Sequence, residues 1–179
     1  MTPAERKRRS RANRRAREEE SRRTDEWCTP EKYIVMAREV MGNIDLDPAS
    51  CEFAQRTVQA DRFFTMHDDG LAQRWTGKVW LNPPYSGGRI VKFVGKLCED
   101  YLDGHVTEAI VLVPNFTDTQ WSNKLMRASR CVCFMRGRIR FYNKEGVGNS
   151  PLNGHMFFYF GQGCKRFDKV FRPIGLICA

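Results

Sequence analysis

The sequence has no apolar run close to the roughly 20 residues that a membrane-spanning helix needs. It also has no C-x-x-C pair and only three histidines, so the clustered ligands of a zinc site are missing. The seven cysteines are odd in number and scattered, which favours free thiols in a reducing compartment. The arginine-rich N-terminus has no apolar segment behind it and does not resemble a secretory signal. We therefore predict a cytoplasmic protein that binds neither a membrane nor a metal ion.

What the sequence does contain is enough apolar residues for one folded domain, together with an excess of positive charge. Hydrophobic residues make up 41% and aromatic residues 12% of the 179 positions. The net charge is +9, and residues 1–23 carry ten Lys/Arg against four Glu. We predict a basic, disordered arm over residues 1–24 and a single domain over residues 25–179. Such an arm is typical of a segment that binds a polyanion such as DNA, and Arg8 and Arg9 are candidate contacts. The alternative is a solvated tail without a specific role.

Short apolar runs alternate with longer segments of helical spacing along the rest of the chain. The patterns predict strands at residues 44–47, 62–65, 78–81, 109–113, 131–135 and 156–160. They predict helices at residues 49–60 and 90–102, and a third that is capped by Thr117 or Asp118 and ends near Ser129. This alternation is typical of an α/β domain with a mostly parallel sheet, whose ligands bind beyond the carboxyl ends of the strands.

The tetrapeptide Asn82-Pro83-Pro84-Tyr85 directly follows one predicted strand and has the groups needed to methylate adenine. The lone pair of adenine N6 is delocalised into the ring, so the amine is a weak nucleophile. The Asn82 side-chain oxygen and a backbone carbonyl of Asn82 or Pro83 can accept both amine hydrogens and free that lone pair. The prolines stiffen the loop, and Tyr85 offers a face on which the base can stack. The alternative is an ordinary turn, which these residue types also favour.

This loop resembles the catalytic motif of the amino-methyltransferases, and further stretches narrow the likeness. Residues 25–30 (Asp-Glu-Trp-Cys-Thr-Pro), residues 44–50 (Ile-Asp-Leu-Asp-Pro-Ala-Ser) and residues 69–75 (Asp-Gly-Leu to Trp) precede the loop. Their order is that of the phage-type Dam family of DNA N6-adenine methyltransferases, and residues 137–141 (Gly-Arg-Ile-Arg-Phe) follow the loop as in that family. The chain is identified as a member of that family, with a similarity that covers residues 25–160.

The resemblance implies a trimmed Rossmann-like methyltransferase fold, with a mostly parallel sheet and an antiparallel C-terminal strand. It implies S-adenosylmethionine as the cofactor and site-specific transfer of its methyl group to a flipped-out adenine in duplex DNA. The family is largely carried by phages and prophages, which implies a restriction-modification setting in a bacterial host. Two alternatives are methylation of another amine, such as a protein glutamine, and an inactive nucleic-acid-binding module. No feature of the sequence indicates an oligomeric state.

Two carboxylates at the end of the first predicted strand are the first candidates for the cofactor site. Asp45 and Asp47 are two residues apart, so on a strand they share one face and need a cationic or hydroxyl partner. The resemblance implies a longer set of cofactor residues, namely Thr29, Pro30, Asp45, Asp47, Pro48, Ala49, Ser50 and Asp69. Two alternatives stay open, because Asp47 can instead cap the following helix and Asp69 can form a plain Asp-Gly turn.

The sequence departs from the usual methyltransferase pattern in two ways. The glycine-rich loop is absent after Asp47, where Ser50 and Cys51 stand instead. About 35 residues separate Asp47 from Asn82, which is too few for two strand–helix units. We therefore predict that one unit is missing. Asp61 and Asp68 are the available candidates for the acid that contacts the cofactor ribose.

The chain leaves no room for a separate target-recognition domain, so DNA contacts must come from loops and from the arm. Arg138, Arg140 and Phe141 leave a predicted strand toward a glycine-containing loop. They are candidates to grip phosphates or to fill the position of a displaced base. The alternative is that the two arginines cover a strand end and pair with nearby acids. Trp121, on a predicted helix, is more typical of the core than of a DNA contact.

Overall fold

The computed structural model describes residues 27–146, 148–149 and 153–179. Its helices are α1 Glu31–Met41, α2 Glu52–Val58, α3 Arg89–Leu102, α4 Gln120–Ala128 and α5 Cys164–Phe171. Short 3-10 turns lie at Ser86–Gly88 and Arg172–Ile174. Its strands are β1 Leu46–Asp47, β2 Arg62–Phe63, β3 Gly77–Leu81, β4 Val106–Pro114, β5 Cys131–Met135, β6 Phe141–Tyr142, β7 Gly148–Asn149, β8 His155–Phe160 and β9 Gly175–Cys178.

Seven strands form one mixed sheet in the order β2-β1-β3-β4-β8-β5-β9, and β6 pairs with β7 in a small second sheet. Neighbours from β2 to β4 are parallel, whereas the β4–β8, β8–β5 and β5–β9 pairs are antiparallel. The predicted Rossmann-like α/β fold and its antiparallel late strand are confirmed. The expectation of a mostly parallel sheet is corrected, because β8 inserts between β4 and β5 and the unpredicted β9 folds back along β5.

One strand–helix unit is missing between β2 and β3, as the short spacing predicted. Residues 64–76 connect these two strands without a helix or a further strand. Trp75 is fully buried in this connection, and its indole N–H donates to the Gly70 carbonyl at 2.7 Å. β2 is therefore an edge strand, and β1 lies directly beside β3 with Leu46 opposite Val79.

Two apolar clusters cover the two faces of the large sheet. Neighbouring residues of β4 divide between them, since Ile110 belongs to the first cluster and Val111 to the second. Helices α1 and α5 pack in the first cluster, and α3 and α4 in the second. Burial on both faces explains why the sequence of β4 is almost wholly apolar. Trp121 packs in the second cluster and is 8% exposed, as expected for a core residue.

The sequence patterns missed α1, α5 and β9, and they placed the start of α4 too early. Thr119, not Thr117 or Asp118, caps α4 by accepting a hydrogen bond from a backbone N–H three residues later. Cys131 and Cys164, which the sequence analysis expected to be free thiols, lie side by side with their Cα atoms 6.2 Å apart, a separation that a disulfide can span. No helix within the described ranges is long and apolar enough to cross a membrane.

Candidate active site

A cavity of about 630 Å³ opens at the edge of the sheet where β1 and β3 end and the antiparallel β8 begins. This volume is typical of cofactor and ligand sites. The predicted site residues that line the cavity are Thr29, Asp47, Pro48, Ala49, Ser50, Asp69, Asn82, Pro83, Pro84, Tyr85 and Phe141. The cavity thus brings the predicted catalytic loop and most of the predicted cofactor residues together. Pro30, Asp45, Arg138 and Arg140 do not line it.

The Asn82 side chain follows β3 and is held at both ends of its amide. Its nitrogen donates to the Thr29 hydroxyl at 3.2 Å, and its oxygen accepts from the Tyr85 hydroxyl at 2.8 Å. An amide oxygen has two lone pairs, so the Tyr85 bond uses only one of them. Pro83 is buried beside Asn82, and neither proline ring brings an N–H donor to the loop. The loop therefore presents oriented acceptors to the cavity.

The Tyr85 ring belongs to an aromatic wall on the other side of the catalytic loop. Its centroid lies 6.3 Å from that of His155, and the Phe141 ring contacts His155 edge-on at 5.1 Å. Burial raises the pKa of the Tyr85 hydroxyl above its usual range. The hydroxyl therefore keeps its proton at neutral pH and remains a donor to Asn82.

The Asp47 carboxylate lies at the end of β1 and is only 3% exposed. Its Oδ1 accepts from the Ala49 backbone N–H at 3.3 Å, and its Oδ2 accepts from the Gln55 side chain at 3.0 Å. Burial raises the pKa of Asp47 to about 7, despite these hydrogen bonds. Asp47 does not cap α2, because the N-cap is Cys51, whose sulfur accepts from the Ala54 backbone N–H. The helix-cap alternative for Asp47 is therefore wrong.

Thr29, Pro30 and Asp69 occupy three different settings. Thr29 is buried and contacts Asn82, whereas Pro30 stands at the N-cap of α1 outside the cavity lining. Asp69 is exposed at the cavity and has φ +47°, and its carbonyl accepts from the Ala72 backbone N–H at 2.9 Å. The predicted Asp-Gly turn is therefore present, and its first residue lines the cavity.

Asp45 is not brought to the cavity. Its carboxylate accepts from the Lys78 backbone N–H at 2.7 Å and from the Asn43 side chain. The sequence argument placed Asp45 and Asp47 on one face of a strand, but β1 contains only Leu46 and Asp47. Asp45 therefore fixes the start of β3 beside the first strand.

The predicted DNA-contacting residues divide between the surface and the cavity. Arg138 and Arg140 are exposed on either side of the buried Ile139, and neither forms an ion pair with a described residue. Phe141 is 6% exposed and lines the cavity instead of projecting from the surface. Arg8 and Arg9 lie outside the described residues, as does the whole predicted arm.

Several cavity residues were not found from the sequence, among them Cys51, Glu52, Phe53, Arg89 and His155. Cys51 and Glu52 directly follow the predicted cofactor stretch, so extending that stretch by one turn would have included them. Asp61 and Asp68, the acids that the sequence offered for the ribose, are exposed and do not line the cavity. Glu52 is the acid that the structure brings there instead.

The two thiols at the cavity influence each other. The hydrogen bond from Cys28 lowers the pKa of the Cys51 thiol, and the same contact raises the pKa of Cys28. Both cysteines line the cavity, Cys28 buried and Cys51 half-buried. A thiolate is therefore favoured at Cys51, at the N-terminus of α2.

The family model described as DNA N-6-adenine-methyltransferase (Dam) matches residues 16–161 of the chain. The chain belongs to this family. A comparison with curated proteins found no match. Membership in the Dam family assigns the chain DNA adenine-N6 methylation at the family level, with S-adenosylmethionine as the implied methyl donor.

The cavity of this Dam family member fits that donor. Asp47 is a buried carboxylate whose hydrogen bonds come from neutral groups, the Ser50 hydroxyl, the Ala49 N–H and the Gln55 amide, and it forms no ion pair with a described residue. The amino, sulfonium and ribose hydroxyl groups of the donor supply cationic and hydroxyl partners, and apolar residues such as Phe53 and Leu71 line the same cavity. Among the described residues, no cluster of three or more His, Cys, Asp or Glu could hold a metal ion.

Proposed function

We propose that the chain is a site-specific DNA methyltransferase that transfers the methyl group of S-adenosylmethionine to N6 of a flipped-out adenine. One observation carries this proposal. The acceptor groups of Asn82 and the buried carboxylate of Asp47 line the same cavity, at the ends of the neighbouring strands β3 and β1. A methyl acceptor held by the first residue and a methyl donor held by the second would therefore meet.

The catalytic loop would activate the amine by accepting its two hydrogens. The lone pair of Asn82 Oδ1 that Tyr85 does not use can accept one N6 hydrogen, and the Pro83 carbonyl can accept the other. The nitrogen then becomes more tetrahedral, and its lone pair is free to attack. N6 forms the new bond to the methyl carbon while the carbon–sulfur bond breaks and its electron pair stays on sulfur. The extra proton on N6 leaves to solvent after the transfer.

On the donor side, the cavity residues bind and orient rather than react. S-adenosylmethionine supplies a methyl group made electrophilic by the positive charge on sulfur. We assign its binding to Asp47 and Ser50 at the end of β1, to Thr29 beside the catalytic loop, and to Asp69. Asp47 would bind a hydroxyl or ammonium donor most strongly when it is ionised, because only the carboxylate carries a negative charge and accepts at both oxygens.

The target base would have to leave the duplex to reach Asn82. A stacked base keeps its amine in the groove, whereas the acceptors of this loop face a cavity at the rim of the sheet. Tyr85 and Phe141 line that cavity and offer aromatic faces to an extruded base. Arg138 and Arg140 are assigned to the phosphates, and the setting we propose is phage or prophage DNA modification in the bacterial cytoplasm.

The experiment is methyl transfer from labelled S-adenosylmethionine to unmethylated and fully methylated bacterial DNA, followed by digestion to nucleosides. We expect label in N6-methyldeoxyadenosine from the unmethylated DNA only. The variant Asn82→Ala should abolish transfer while changing the cofactor dissociation constant less than about twofold, since Asn82 acts on the base.

The matched control is Asn123→Ala, which removes an exposed asparagine of α4 outside the cavity and should keep full activity. Full activity of Asn82→Ala would overturn the catalytic assignment. Label in protein glutamine would favour the other amine substrate, and DNA binding without cofactor binding would favour an inactive module.

A further inference from the structure

His155 is a buried polar residue at the cavity that the proposed mechanism leaves without a role. It is the first residue of β8 and is only 3% exposed, yet it lines the cavity. Its Nδ1 atom is buried and has no hydrogen-bond partner among the described residues. Buried side-chain nitrogens are usually hydrogen-bonded, so an unpartnered one in a cavity-lining residue shows that the described structure gives the His155 imidazole no polar partner at this atom.

The position of His155 places it next to the predicted base site rather than the donor site. It pairs with Pro114 at the end of β4, and its ring centroid lies 6.3 Å from that of Tyr85 and 5.1 Å from that of Phe141. Tyr85 in turn donates to Asn82 Oδ1, the acceptor for the amine. His155 is therefore linked to Asn82, the residue that would bind N6, through the Tyr85 side chain alone.

The charge state of His155 suits recognition of a neutral heterocycle. Burial lowers the pKa of His155 to about 4. At neutral pH the imidazole is therefore uncharged, with one N–H donor and one nitrogen acceptor. The ring nitrogens of adenine on either side of the amine, N1 and N7, are both acceptors that such a donor matches.

We propose that His155 recognises the target base, by donating a hydrogen bond from its imidazole to a ring nitrogen adjacent to the exocyclic amine. This inference rests on the proposed adenine methylation and assigns a residue that selects and orients the base. Asn82 and the Pro83 carbonyl would bind the amine, and His155 would fix the rotation of the ring in its plane. A base without an acceptor at that position would be bound with its amine misdirected.

The test is a cycle that combines variants of the protein with variants of the base. The target sequence is first mapped by sequencing DNA that the wild type has methylated. Wild type and His155→Phe are then assayed on duplexes that carry this target. The phenylalanine keeps an aromatic ring but cannot donate a hydrogen bond. The target base is adenine, 1-deazaadenine or 7-deazaadenine. On adenine we expect His155→Phe to lose about tenfold or more in kcat/KM. On the one analogue that lacks the partner nitrogen, wild type and variant should be equally active.

Controls separate recognition from a structural effect. His155→Gln keeps an N–H donor and should recover part of the activity, and His105→Phe changes an exposed histidine outside the cavity and should change nothing. Should His155→Phe not fold, as judged by thermal unfolding, His155→Leu takes its place in the same cycle.

Two results would overturn the inference: an equal loss on all three bases, or no loss on any of them. A wild type that methylates no adenine would instead contradict the proposed function. These outcomes are distinguishable, because the first two require an active wild-type enzyme.

Discussion

The buried carboxyl group of Asp47 couples the cavity to pH. Its pKa is raised to about 7, against 3.8 for a free aspartate. An acid whose folded-state pKa is raised destabilises the fold as pH rises, because the unfolded chain ionises near pH 4 and the folded chain only near pH 7. Without a ligand, this cost is absent below about pH 4 and is complete above about pH 7. A ligand that binds the carboxylate offsets it.

We expect the affinity for S-adenosylmethionine to rise with pH up to about 7 and then to level off, since below that pH the ligand must displace a proton from Asp47. The Asp47→Asn variant should bind S-adenosylmethionine weakly, and its affinity should not rise with pH. Without cofactor, the variant should gain stability relative to wild type as the pH rises from about 4 to about 7, with no further gain above that. Calorimetric titrations and thermal unfolding across this range measure both effects. A wild-type affinity independent of pH would contradict the role of Asp47.

At the residue scale, the sequence allowed prediction of those cavity residues that lie at the ends of apolar strands. The places of Asn82 and Asp47 could be predicted because a polar residue at the end of an apolar strand of an α/β domain, or directly after it, faces the ligand edge. Asp45 was misplaced because the strand is shorter than its apolar pattern. His155 was missed because it begins an antiparallel strand, and only the sheet order brings that start to the ends of β1 and β3.

The connection between β2 and β3 is packed so closely that one of its glycines has no room for a side chain. A Cβ atom on Gly70 would lie 2.1 Å from the Pro48 carbonyl oxygen, and both residues line the cavity. We expect Gly70→Ala to cost about 1–3 kcal/mol of unfolding free energy and to weaken cofactor binding. Gly95→Ala is the control, because its Cβ would meet only side-chain ends at 3.7 Å or more. Urea unfolding should show Gly95→Ala at least as stable as wild type.

The segment after β5 carries the exposed Arg138 and Arg140 near the cavity edge, because β5 runs in the same direction as β4. If both bind phosphates, the double variant to Gln should lower the slope of log affinity against log salt by roughly 1 to 2. Arg127 and Arg130 are equally exposed, but they flank the opposite end of β5. Their double variant is the matched control and should leave the slope unchanged. Equal effects of the two pairs in fluorescence anisotropy would rule out a specific role for Arg138 and Arg140.

At the element scale, prediction succeeded where apolar periodicity was unbroken, as in β4, β5 and α3. It failed for α1 and α5, whose buried faces form only against the sheet and whose sequences are mixed with many charges. β9 has only four residues, two of them exposed, so it shows no continuous apolar run. The parallel arrangement was overestimated because strand order depends on long-range pairing rather than on local pattern.

For the whole molecule, the uneven charge predicts that the arm adds affinity for DNA, whereas the domain carries out the methyl transfer. Residues 1–23 carry ten Lys/Arg against four Glu. We expect their deletion to weaken DNA binding and to reduce its salt dependence, while turnover on short duplexes remains, since the cavity residues that the structure describes lie beyond the arm. Binding titrations at several salt concentrations, with single-turnover assays, measure the two effects. An unchanged salt dependence after deletion would remove the arm from the mechanism.

The direction of β9 places a cysteine away from the cavity, where a label can be attached. Gly175 pairs with Met135 at the cavity edge, and the strand then runs away from that edge to Cys178, opposite Val132. The Cys178 thiol is exposed, whereas Cys51 is half-buried in the cavity wall. A maleimide dye or a sensor surface attached through Cys178 in a Cys51→Ser variant therefore leaves the opening clear. In the wild-type chain, the Cys51 thiolate should be alkylated more slowly when the cavity is filled, so its alkylation rate reports occupancy.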